Sequence, residues 1–220
     1  MKTRLFSILL TLLILIITGC KPSISEVIQD TMCIPPCWKS IVPGQTSQQE
    51  ATSILNKLSD VDNRTLRIMS VAKPNDSIYL NFIPKTGDIG ARLFFKNDTV
   101  LAINFVPKNL SLGTTIEYLG EPESILAIHH QDERSYVSVF LDYQSKGIVL
   151  LLELIPYQSG EKVILSPDTE VQGFWYFDPN SYHELMTSPY IAGLYPNFLE
   201  QNTHQWVGYG DISAIIVEHQ

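Results

Sequence analysis

The side chains best suited to chemistry cluster at His129-His130-Gln131-Asp132-Glu133. Imidazoles and carboxylates this close together are the groups used for metal ligation or acid–base work, and either use needs partners folded in from elsewhere. The competing reading is a solvated loop between two strands. His183-Glu184 opens like a helical zinc motif, but Leu185-Met186-Thr187 follows and the second histidine is missing. Glu121 and Glu123 flank Pro122 and read as surface carboxylates at a helix exit. The chain contains no Gly-x-Ser-x-Gly elbow, no Gly-x-x-x-x-Gly-Lys-Ser/Thr loop and no Gly-x-Gly-x-x-Gly turn. From these residues no catalytic, metal or cofactor site is expected.

The thiols are more informative. Lys2 and Arg4 precede an apolar run from Leu5 to Ile17. Spanning a bilayer takes about 20 apolar residues, so the run reads as a secretory signal rather than a membrane span. It ends in Ile17-Thr18-Gly19-Cys20, which resembles the lipobox of bacterial lipoproteins. That resemblance implies a signal peptide over 1–19, acyl chains on the sulfur of Cys20, cleavage before it and a lipidated tether over 20–32. The alternative is an ordinary secretory signal with a chance cysteine. Two or three acyl chains, at about 0.8 kcal/mol per buried CH₂, make attachment effectively permanent. Lys21 follows where an aspartate would, by the same analogy, hold the protein at an inner membrane. Lipidating Cys20 leaves an even pair, Cys33 and Cys37, in Cys33-Ile34-Pro35-Pro36-Cys37-Trp38. Outside the cytoplasm such a pair is expected as a disulfide, with free thiols and a metal site as the alternatives; zinc would want two further ligands.

Charge and composition narrow the partners. The net charge is −8, and removing Lys2 and Arg4 with the signal makes the remainder more acidic, a poor match for nucleic acid. With 45% hydrophobic and 10% aromatic residues, a disordered chain is excluded.

The elements that must position these residues follow from periodicity. Ser47 with Glu50 three positions on makes a capping-box pattern, and Ala51, Ile54, Leu55 and Leu58 continue it at helical spacing. The period then drops to two, with strands expected at 66–71, 78–83, 91–95 and 100–106 separated by turn material. The order recurs: Ser111-Leu112-Gly113-Thr114-Thr115 leads into a short helix stopped at Gly120-Glu121-Pro122, and strands are expected at 124–129, 136–143, 148–155 and 169–177. Gln144-Ser145-Lys146-Gly147 joins two of them as a hairpin. This predicts an α+β fold of two helix-plus-antiparallel-meander units, 33–109 and 110–177, as divergent copies with Pro43-Gly44 matching Leu112-Gly113. A C-terminal extension over 178–220 carries a short helix from Ser181, a last strand over 212–217 and many aromatics.

Val42-Pro43-Gly44-Gln45-Thr46 leading into a helix resembles the entry of small extracytoplasmic lipoproteins. Helix followed by antiparallel strands is similar to the BamE-like assembly lipoproteins and, doubled, to β-lactamase inhibitor protein. Cys33 to Trp38 and Trp206-Val207-Gly208-Tyr209-Gly210-Asp211 are similar to marks of uncharacterised bacterial lipoproteins. The resemblance implies a non-catalytic, lipid-anchored binding or assembly module outside the cytoplasm, held to the membrane by acyl chains, with an envelope protein as partner. The alternative is an envelope hydrolase around His129, His130 and Asp132. Trp175, Tyr176, Trp206 and Tyr209 are the candidates for partner binding, because alternation in Phe174–Phe177 would send one pair outward.

Overall fold

The computed structural model describes residues 33–59, 61–70, 78–83, 90–131, 135–154, 157–158, 160–188 and 193–218. The expected signal over 1–19, Cys20, the expected tether over 20–32 and Asp132 lie outside the described residues.

Helix α1 spans Gln48–Lys57, and its N-cap Ser47 accepts the Glu50 N–H at 3.2 Å, as the capping pattern requires. Strands β1 (Arg67–Ser70), β2 (Ile78–Phe82), β3 (Gly90–Lys96) and β4 (Thr99–Val106) follow. Helix α2 (Leu112–Leu119) is capped by Ser111, whose side chain accepts from Thr114 N–H, and it closes on Gly120 at φ 81°. Strands β5 (Ser124–Gln131), β6 (Ser135–Tyr143), β7 (Ile148–Leu154), a short β8 (Ile164–Leu165) and β9 (Gly173–Phe177) come next. The remainder holds α3 (Tyr182–Thr187), α4 (Pro196–Asn202), β10 (His204–Gln205), β11 (Gly210–Asp211) and β12 (Ile216–Glu218). The chain is therefore α+β, as the change of period predicts.

The main sheet runs β1-β2-β3-β4-β9-β7-β6-β5-β10, with β12 also paired to β5. Its neighbours along that path are antiparallel, and β12 alone among the described strands runs parallel to its partner. Sequence alone does not place β9 between β4 and β7, yet this insertion joins the two halves of the sheet. Both helix starts hang on backbone in the same register. Gln48 N–H donates to Asp98 O at 2.8 Å and Val100 N–H to Thr46 O at 2.9 Å, straddling Ser47. Leu112 N–H donates to Thr169 O at 2.7 Å and Val171 N–H to Leu110 O at 2.8 Å, straddling Ser111. The match of Pro43-Gly44 to Leu112-Gly113 does not hold in this register, because Gly44 precedes its cap and Gly113 lies inside α2. Gly113 has a packing reason instead: a Cβ there would meet Pro167 Cβ at 2.8 Å.

Each face of the sheet carries its own core. One, with Leu93, Phe105, Val139, Leu150 and Phe174, is covered by α1 and α2 through Ala51, Leu55, Leu112 and Leu119. Trp38 joins it, 5.3 Å between ring centroids from both Phe82 and Phe105. The Cys33–Cys37 disulfide is formed, and its loop packs Pro36 towards Gly147, where a Cβ would lie 2.9 Å from Pro36 Cβ and would run into Phe177 O. The second core, with Phe94, Phe140, Val149, Trp175 and Phe177, is covered by Leu185, Met186 and Leu199 of α3 and α4. Lys96 Nζ of β3 meets Glu184 Oε1 of α3 at 2.5 Å across this seam.

Candidate functional site

Three regions gather polar groups in or against the sheet. The first is the far end of the β5–β6 hairpin. His129 lies inside β5, not in a solvated loop, and its side chain is 2% exposed. His130 points to the opposite face of the strand and stacks on Tyr136 at 4.6 Å, so the two imidazoles cannot converge on one site. This corrects the expectation of a centre built from His129 and His130 together. What surrounds His129 comes from other strands. Nδ1 lies 2.9 Å from Glu218 Oε1 on β12, and Nε2 lies 2.8 Å from Ser135 Oγ at the start of β6. Gln131 Nε2 donates to Glu218 Oε2 at 3.1 Å, and the Tyr157 ring stands edge-on to the imidazole at 4.7 Å. Glu218 is directly beside His129 in the parallel register of β12 and β5. Neither Ser135 nor Glu218 carries a local sequence signal; Glu218 is 89 positions from its histidine.

The second region is the open end of the second sheet face. Register pairs place Arg67, Asn81, Arg92, Asn104 and Trp175 in one row across β1, β2, β3, β4 and β9. Both arginines are exposed, Asn81 is half-buried, and Asn104 and Trp175 are buried. Met69 at 45% and Val106 at 46% exposure lie on the same face beside the row. Trp175 Nε1 and Asn81 Oδ1, both buried, have no hydrogen-bond partner among the described residues. An unsatisfied buried polar group costs about 1–3 kcal/mol, a cost both atoms carry among the described residues.

The four aromatic candidates are placed otherwise than expected. Trp175 (6% exposed), Tyr176 (1%) and Trp206 (8%) are all buried, and only Tyr209 (42%) presents a ring to solvent. For Trp175 and Tyr176 the physical reason is that α3 and α4 cover the second face, so β9 is buried on both sides and alternation no longer separates inward from outward; Trp206 packs into the first core instead.

Beneath α3 sits a buried acid. Asp142 is 1% exposed; its Oδ2 accepts from the Tyr182 hydroxyl at 2.6 Å and the Ser124 hydroxyl at 2.9 Å, while Oδ1 has no partner among the described residues. Burial pushes its carboxyl up to about 6, against the pull of the two hydroxyl donors and helped by Glu123 nearby. Burial and the same carboxylate raise the Tyr182 phenol. An open cavity of about 350 Å³ adjoins Tyr182, lined also by Gln144, His183, Leu199 and Glu200. Among the described residues no group of three His, Cys, Asp or Glu could hold a metal ion, and no helix is long and apolar enough to cross a membrane. No protein-family model, curated protein or solved structure matches the chain.

Proposed function

We propose that this protein is a lipid-anchored binding or assembly module of the bacterial cell envelope, tethered through Cys20 outside the cytoplasm. In this reading the chain from 33 to 177 is two divergent helix-plus-meander copies, similar to the doubled lipoprotein-like architecture, joined through β4 and β9. The shared register of the two capped helices supports that pairing. The observation that carries the binding role is the row Arg67–Asn81–Arg92–Asn104–Trp175 on an otherwise covered face. It presents the exposed guanidinium groups of Arg67 and Arg92 beside exposed Met69 and Val106, the mixture of arginine and apolar surface that concentrates binding energy at protein interfaces. In a chain of net charge −8 this row has no carboxylate, so it favours a partner segment rich in carboxylates or exposed carbonyls.

Exchanging both exposed arginines, Arg67→Glu with Arg92→Glu, tests the reading. Surface substitutions of this kind change stability by about 0.5 kcal/mol or less, so the melt should hold. A partner that the wild type retains from detergent-solubilised envelopes should be lost by the double variant. Equal retention by both proteins would refute the role of this face.

A further inference from the structure

We infer that Ser135, His129 and Glu218 form a nucleophile, base and carboxylate that open carboxylic esters at Ser135 Oγ. This goes beyond the binding role and does not rest on it.

What each group can donate fixes where the proton sits. The Glu218 carboxylate can only accept, and both of its oxygens lie 2.9 Å from His129 Nδ1. In the neutral imidazole the proton is therefore on Nδ1, which leaves the Nε2 lone pair facing Ser135 Oγ at 2.8 Å. This is the tautomer a general base needs to take a proton from a serine hydroxyl. The three groups are held on hydrogen-bonded backbone. His129, Ser135 and Glu218 stand on three paired strands, Gln131 orients the carboxylate from its Oε2 side, and Tyr157 N–H holds the Ser135 carbonyl at 3.1 Å. The edge of the Tyr157 ring and the sheet leave His129 2% exposed, so water competes little for its nitrogens.

In the step proposed, Oγ bonds to the ester carbonyl carbon while its proton passes to Nε2. The carbon–oxygen bond to the alcohol then breaks, and the proton on Nε2 goes to the departing alkoxide. Water hydrolyses the acyl-serine by the same path in reverse, and Glu218 stabilises the imidazolium formed in each half.

The test treats the purified full chain with a fluorophosphonate probe, which forms an Oγ–P bond and releases fluoride. Peptide mass mapping should find the adduct on Ser135, and it should be absent from Ser135→Ala. Glu218→Gln keeps a side chain of the same shape but removes the charge that stabilises the imidazolium, so labelling should slow by about 100-fold or more. Native wild type should label and urea-unfolded wild type should not, a comparison that needs no variant to fold. An adduct elsewhere, no adduct, equal labelling when unfolded, or Glu218→Gln labelling at the wild-type rate would each overturn the inference.

Discussion

At the scale of single residues, Asp142 shows how burial sets a measurable property. Its ordinary value is 3.8, and in the fold it stands at about 6 because desolvation outweighs the hydroxyls of Tyr182 and Ser124. The folded chain therefore holds this proton more firmly than the unfolded chain does. Above pH 6 the buried charge costs stability, and stability is recovered as pH falls through 6 towards 4. Asp142→Asn keeps the shape and removes the charge. At pH 7–8 it should raise the unfolding free energy by up to about 3 kcal/mol, since each tenfold gain in proton affinity on folding corresponds to about 1.4 kcal/mol. Near pH 4 the two proteins should unfold alike. A difference in denaturant midpoint that does not shrink between pH 8 and pH 4 would show that the carboxyl is not held up by burial. Sequence alone does not show any of this: Asp142 reads there as one polar position in an alternating strand, and the tyrosine that shuts it off from water is 40 positions away.

At the scale of elements, the C-terminal extension does more than its texture implies. Pro189 and Pro196 suggest breaks, yet Pro196 sits in the first turn of α4, where a missing N–H costs nothing. With α3 it closes the second face, and β12 adds a parallel edge to β5. This predicts a division among the tail's side chains. Met186→Ala, at a fully buried site, should cost about 2–5 kcal/mol and Trp206→Ala about 3–5 kcal/mol. Tyr209→Ala and Tyr195→Ala, on exposed rings, should leave the thermal melt within a few degrees of wild type. The disulfide belongs to this scale too. Closing so short a loop is worth about 2 kcal/mol in the chain-entropy model, so reduction should lower the melt without unfolding the protein at room temperature. Loss of all near-ultraviolet signal on reduction would mean instead that the loop, with Trp38 behind it, holds the core.

For the molecule as a whole, the proposed anchor at Cys20 would decide where every other group acts. The apolar run and Ile17-Thr18-Gly19-Cys20 motivate lipid attachment. Cys20→Ser should move the protein from the membrane pellet to the soluble or unprocessed fraction. A variant as firmly bound and as correctly cleaved as wild type would end the lipoprotein reading. The Arg67–Trp175 row and the proposed Ser135–His129–Glu218 group stand on opposite faces of one sheet, so a partner on the first would leave the second open.

Local order was legible in the residues themselves. Ser47 as a cap, the short helix stopped at Gly120, the strands from Ile78 to Val106 and the turn closing on Gly147 depend on neighbours a few positions apart, and propensity and period report such neighbours directly. The Cys33–Cys37 pair was expected on another ground, the even remainder of thiols once Cys20 is set aside. The insertion of β9 between β4 and β7, the covering of the second face, the burial of Trp175 and Tyr176, and the meeting of Ser135, His129 and Glu218 were decided only by tertiary structure. Each depends on which strand lies beside which, and a strand's period of two records that it has two faces without recording what covers either of them.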